Sequence, residues 1–183
     1  MILPIVYYGK PVLREKGARV EEVTEEIRRL AADMLETMRD ADGIGLAAQQ
    51  IGQAIQLAIV DVSHDPECFT VFRVDGEEAS LEDWMPLTFL NPEIEGGKLR
   101  ESENEGCLSF PEIQGGVRRP TTIRAQLTLL DGRVIQVEAD GLLARAIQHE
   151  TDHLNGILFI DRMSSATKVK LRRRIKELKR ENS

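Results

Sequence analysis

The stretch Asp140–Gly156, DGLLARAIQHETDHLNG, organises the reading of the whole chain. Leu142, Leu143, Ala146, Ile147, His149, Glu150 and His153 recur with the 3.6-residue period of a helix that has a mixed face. Asp140 and Gly141 can open that helix, and Asn155-Gly156 can close it, glycine being the usual left-handed cap residue. On a helix, His149 and His153 stand one turn apart on the same face. Two imidazoles so placed form half of a tetrahedral metal site, and the carboxylate of Glu150 lies beside the first of them. That combination suits hydrolysis, in which a metal acidifies a water and a carboxylate carries its proton.

A surface helix carrying two of the chain's three histidines would read the same way, so a third ligand decides between the two. Cys68, Cys107, His64 and many carboxylates are available. Cys107 stands out through its setting, Glu105-Gly106-Cys107-Leu108-Ser109. A glycine before it permits close backbone approach, and Phe110-Pro111 after it disfavours helix. A thiolate on a strand or loop facing the two histidines would complete a Cys-His-His set, with the fourth position open as catalysis requires. Cys68, in the irregular Asp65-Pro66-Glu67-Cys68 stretch, reads as a small buried hydrophobe. No apolar leader segment appears at the N-terminus, so a reducing, cytoplasmic setting with free thiols is expected, not a Cys68–Cys107 disulfide.

Upstream lies a glycine-rich element, Gly43 through Gly52. It follows an amphipathic helix opened by Thr24, with Ile27, Leu30, Ala31, Met34, Leu35 and Met38 on one face. The dinucleotide-binding fingerprint is incomplete here, and the loop leads into a strand, not a helix. Small residues instead suit a tightly packed wall that an extended chain can approach. The amide of Gln50 could donate there to developing negative charge.

Three segments together resemble the peptide deformylases. The family's Gly-x-Gly-x-Ala-Ala-x-Gln loop is matched by Gly43 through Gln50, its Glu-Gly-Cys-Leu-Ser segment by Glu105 through Ser109, and its Gln-His-Glu-x-Asp-His helix by Gln148 through His153. The resemblance extends to Pro11-Val12-Leu13-Arg14, Asn91-Pro92-Glu93 and Asp140 through Ala144, and so covers roughly residues 3–162. It implies Cys107, His149 and His153 as metal ligands and Glu150 as general acid and base. Gln50 and the backbone N–H of Leu108 are implied as oxyanion stabilisers, and Gly45 as part of the substrate channel. The implied reaction removes the N-terminal formyl group from formyl-methionine of newly made polypeptides and releases formate. The implied ion is ferrous iron, with zinc, nickel or cobalt able to take its place. A methionine pocket can be built from Ile44, Leu142 and Ala146, with the stem of Arg145 nearby; Leu142 and Ala146 would serve equally as core.

At 183 residues, with 42% hydrophobic and 30% charged residues, the chain suits one domain with one sizeable core. No apolar run approaches a membrane span. Ile55–Val62, Phe69–Val74, Leu87–Ile94, Ile123–Leu130 and Val134–Val137 read as strands, the last two around the hairpin signal Asp131-Gly132. Helices and strands do not alternate, so the expected class is α+β: antiparallel sheets packed around a central metal-binding helix. Residues 63–86 form a longer link than the family resemblance implies and read as an extended, solvated hairpin, with a lid or dimer contact as the alternative.

The catalytic domain is expected over residues 1–167, with a C-terminal basic helix of the same domain over 168–183. The net charge is −7, yet the tail from Lys168 carries +6 and the remainder −13. Val169, Leu171, Ile175 and Leu178 give that tail a thin apolar stripe. A solvated helix packed on its own domain explains it; contact with ribosomal RNA is the functional alternative. Two other functions compete with formyl removal. A zinc endopeptidase would draw its third ligand from downstream of the helix. A metal-stabilised RNA-binding domain would need neither Glu150 nor Gln50.

Overall fold

The hairpin signal Asp131-Gly132 joins the two longest-paired strands of the main sheet. In the computed structural model, which describes all 183 residues, β8 (Thr122–Thr128) runs antiparallel to β9 (Val134–Asp140), with Gly132 at φ +87° in the turn. Ile123, Ala125 and Leu127 on β8 and Ile135, Val137 and Ala139 on β9 point to the core, and the residues between them face outward. Around this hairpin grows a seven-stranded antiparallel sheet in the order β1-β2-β5-β8-β9-β3-β4. Its other members are β1 (Gly45–Ala47), β2 (Leu57–Val60), β3 (Phe72–Val74), β4 (Glu77–Glu78) and β5 (Leu87–Gly96).

Helices cover this sheet on both faces, and β2 shows why its four residues are all apolar. Leu57 and Ile59 meet Ala31, Met34 and Met38 of α1 (Glu25–Asp40), whereas Ala58 and Val60 belong to the cluster that includes Leu143, Ala144 and Ile147. The latter three lie on α3 (Gly141–Leu154), the helix expected from the sequence, buried from Leu143 to its end. Thr24 caps α1 by accepting the N–H of Ile27 at 3.3 Å. Gly156 follows α3 at φ +73°, where a Cβ would collide with the backbone of Arg14, so the closing glycine is required twice over.

A second, two-stranded sheet stands apart. β6 (Arg100–Cys107) pairs with β7 (Phe110–Pro120), and neither strand was expected from the sequence. Its inner residues Phe110, Ile113 and Val117 pack with Leu13, Leu158, Phe159, Ile160, Met163 and Leu178 in a separate cluster. Leu178 belongs to α4 (Ser165–Asn182), which lies against β7 where Gly115 leaves room for Met163, Thr167 and Leu171. Leu171 and Ile175 share this packing, but Val169 is 69% exposed and does not belong to the expected stripe.

Residues 63–86 also depart from expectation. They contain a hairpin, turning at Asp75-Gly76, and the short helix α2 (Leu81–Trp84), but the hairpin is not merely solvated. β3 pairs with β9 and buries Phe72 and Val74 in the main core, so the segment widens the sheet. The architecture is thus α+β in one domain with antiparallel sheets around a central helix. No helix is long and apolar enough to cross a membrane.

Candidate metal centre

α3 is trapped between the main sheet and the β6–β7 ribbon, so its polar residues have no solvent to turn to. His149 and His153 sit one turn apart with ring centroids 5.1 Å from each other, and they are 8% and 1% exposed. Cys107 reaches them from the end of β6. There the pairing slips: Gly106 lies opposite Gln114, but Cys107 lies opposite Phe110. The bulge on β7 turns the ribbon end inward. Cys107 Sγ lies 3.4 Å from His153 Nε2, and one donor atom from each of Cys107, His149 and His153 lies within 4.8 Å of the others.

His149 Nδ1 is engaged by Glu105 Oε1 at 2.8 Å, which leaves Nε2 as the nitrogen available to a metal. Burial disfavours the charged ring, yet Cys107 and Glu105 outweigh it and raise the His149 pKa to about 10. His153 is lowered by burial and by the neighbouring His149, and its Nδ1 is buried without a partner. Both thiols are free, as expected. One sulfur and two imidazoles, converging where little else can pair with them, fit a divalent metal ion.

Glu150 is 4% exposed, and burial raises its pKa to about 7. Its Oε2 is buried without a protein partner, while its Oε1 fills the space that a side chain on residue 45 would need. Gln50 sits in the tight turn Ala48–Ile51 that follows β1. Its Oε1 accepts the N–H of Ala47 at 2.9 Å, so its Nε2 faces the ribbon, 3.1 Å from Ser109 Oγ and 3.5 Å from Cys107 Sγ.

These groups open onto a cavity of about 520 Å³. Of the residues singled out from the sequence, Ile44, Gly45, Gln50, Cys107, Leu108, Leu142, Arg145, Ala146, His149 and Glu150 line it, and His153 lies behind. No residue of the 63–86 segment reaches it. The Arg145 guanidinium turns away, donating to Glu105 Oε2 at 2.6 Å and to the carbonyls of Val117 and Glu101. Only its stem remains for the cavity.

Sequence reasoning gave no role to Glu105, Arg119 and Asp152, which form a buried ionic network behind His149, or to the exposed Arg162 that closes it at the surface. Glu105 and Asp152 lie inside the quoted motifs, so a signal existed for them. Burial opposes ionisation of Glu105, but His149 and Arg119 hold it well below the usual carboxylate range. Arg119 occupies an inward position of β7 where an apolar residue is the norm.

Comparison with known proteins follows the same lines. A family model described as Polypeptide deformylase matches residues 2–169. A curated relative named peptide deformylase from Opitutus terrae is 46% identical over 182 residues, 97% of this chain and 93% of its own length. One from Methylacidiphilum infernorum is 42% identical, covering 98% and 94%. Among solved structures, the peptide deformylase of Ehrlichia chaffeensis superposes with a TM-score of 0.85 at 32% identity over 99% of this chain and 97% of that one. That of Thermus thermophilus gives 0.81 at 35% identity over the full length of both.

Proposed function

The chain belongs to the polypeptide deformylase family, and from that premise we propose how its own residues remove the formyl group from N-terminal formyl-methionine of new polypeptides. The convergence of Cys107, His149 and His153 beside Glu150 carries the assignment. Cys107 Sγ and the Nε2 atoms of the two histidines would hold the divalent ion. The ion, when bound, supplies Lewis acidity that activates a water at neutral pH.

Glu150 accepts the proton of the attacking water and delivers it to the departing amine. A buried carboxylate with a pKa near neutrality can do both. Gln50 Nε2 and the Leu108 N–H donate to the formyl oxygen as it gains charge. Each such donor is worth roughly 100-fold or more in rate. Ile44, Leu142, Ala146 and the stem of Arg145 form the apolar wall for the methionine side chain. β1 is an edge strand of the main sheet and Gly45 lines the cavity, so an extended peptide can pair with its backbone.

Ferrous iron is the working ion in this reading, with zinc, nickel and cobalt accepted by the same soft and borderline donors. The ferrous form would lose activity in air, with Cys107 the oxidised residue. A nascent chain as substrate places the reaction in the translating compartment, the cytoplasm. The outward basic face of α4 would meet ribosomal RNA there. The reading is tested by loading the protein anaerobically with iron, nickel or zinc and measuring formate release from formyl-Met peptides. Activity with at least one ion is expected. Glu150→Gln should cut kcat by about 10²–10⁴. Folded, loaded protein that releases no formate with any ion would overturn the reading.

A further inference from the structure

A cluster of charge lies behind His149: Glu105 borders the cavity, and Arg119, Asp152 and Arg162 lie outside it. Arg119 leads the fully buried side chains by volume, 2% exposed on β7. It donates from Nε to Glu105 Oε2 at 2.7 Å, from Nη2 to Glu105 Oε1 at 3.0 Å, and from Nη1 to Asp152 Oδ2 at 2.8 Å. Glu105 Oε1 in turn accepts His149 Nδ1. At the far end Arg162 closes on Asp152 through two bonds, 2.8 and 2.9 Å. An unbroken chain of bonds therefore runs Arg162–Asp152–Arg119–Glu105–His149.

Burying ionic groups costs more than burying apolar side chains of the same volume, so packing alone does not account for this arrangement. What it supplies is direction. Glu105 is gripped at both oxygens by a planar fork, and the fork is itself fixed from α3 by Asp152. A carboxylate so held cannot rotate, and the oxygen it presents sets the tautomer and tilt of His149. His153 has no such support, its Nδ1 being buried without a partner. Only His149 has its Nδ1 held by a partner, and of the two arginines on that partner Arg145 reaches Glu105 Oε2 alone while Arg119 grips both oxygens.

We propose that Arg119 is a positioning residue for the metal centre, acting through Glu105 on His149. The proposal rests on the ligand set assigned above. Lysine would keep the charge but not the bidentate fork, so Arg119→Lys isolates the feature in question. The experiment uses cobalt(II) ion on the full chain, read by its thiolate charge-transfer and d–d absorption and by competition with a chelator. Val74→Ala, at the far edge of the main sheet, serves as a stability control.

Arg119→Lys is expected to fold, to bind cobalt roughly 10–100-fold more weakly, and to show shifted d–d bands at saturation. Val74→Ala should keep the wild-type affinity and spectrum at a similar loss of Tm. Folded Arg119→Lys with wild-type affinity and bands would overturn the proposal, as would an equal loss of affinity in Val74→Ala. Should Arg119→Lys not fold, Asp152→Asn decides: weakened cobalt binding supports the proposal, and unchanged binding overturns it. Absence of a thiolate band in the wild type would remove the ligand set and the proposal together. Cobalt binding without formate release would tell against the assigned reaction alone, because the Arg119 effect is read from affinity.

Discussion

Gly45 and Glu150 act as one unit at the scale of single residues. An ideal Cβ on residue 45 would collide with the Glu150 carboxylate, so glycine there keeps the proposed proton carrier in place as well as leaving the β1 backbone accessible. Gly45→Ala is therefore expected to lower kcat by at least ~10-fold, within the span a displaced general base commands, while metal content stays at the wild-type level. Steady-state kinetics with formyl-Met peptides and metal analysis check this; an unchanged kcat would show that Glu150 has room to move. The residues proposed to carry the chemistry, namely Cys107, His149, His153, Glu150 and Gln50, stand out in the sequence because short spacings and a helical period announce them, and the structure brings them together. Arg119 does not stand out. Its partners are Glu105 on the neighbouring strand and Asp152 on the helix, and no local pattern reports that three charges far apart in the chain neutralise one another.

Among the elements, the β6–β7 ribbon was hidden for a related reason. Its inward positions on β7 run Phe110, Ile113, Gly115, Val117, Arg119, so only three of the five carry the apolar side chain that marks a strand, and the bulge after Phe110 breaks their alternation. The two other positions are set by tertiary demands: Gly115 by the approach of α4, Arg119 by Glu105. By contrast β8, β9, α1 and α3 follow their own periodicity and were legible to within a few residues. The short turns Pro11–Arg14 and Phe159–Arg162 are clamped by Arg14 and Asp161, with Nη1 to Oδ2 at 2.5 Å. Burial works against the Asp161 charge, but Arg14 and the Leu158 N–H outweigh it and hold its pKa below 3.8. A carboxylate so lowered adds stability that is complete above its unfolded value and disappears as pH falls through the folded one. Both partners are more than a third exposed, so the contribution is about 1 kcal/mol or less. Urea denaturation should show wild type ahead of Asp161→Asn above about pH 5, the gap closing on acidification below 3.8. A gap that widens in acid would contradict the clamp.

For the whole molecule, charge and packing pull α4 in two directions. Leu178 is 2% exposed within the second cluster, and Leu171 and Ile175 lean on it, so removing residues 168–183 would open that cluster next to Phe110. Truncation is therefore a poor probe of the tail. Arg172, Arg173, Lys176 and Arg180 share the opposite face and can be changed without touching the core. Reversing Arg172 and Lys176 to Glu should weaken co-sedimentation with ribosomes at low salt and leave hydrolysis of short formyl-Met peptides intact. Unchanged co-sedimentation would end the ribosome proposal. The proposed ligand set, split between two elements, has a mechanical consequence as well. Cys107 hangs from the ribbon and its own small cluster, whereas His149 and His153 belong to the helix of the main sheet. A bound ion thus closes the loop between Cys107 and His149 as a disulfide would, but reversibly. Chelation should speed amide hydrogen exchange in residues 100–120 far more than in β8 and β9, and make the ribbon the first target of proteases. On the proposed ligand set the metal centre would also be a detachable rivet between ribbon and helix, so that metal supply would set how tightly the two are held.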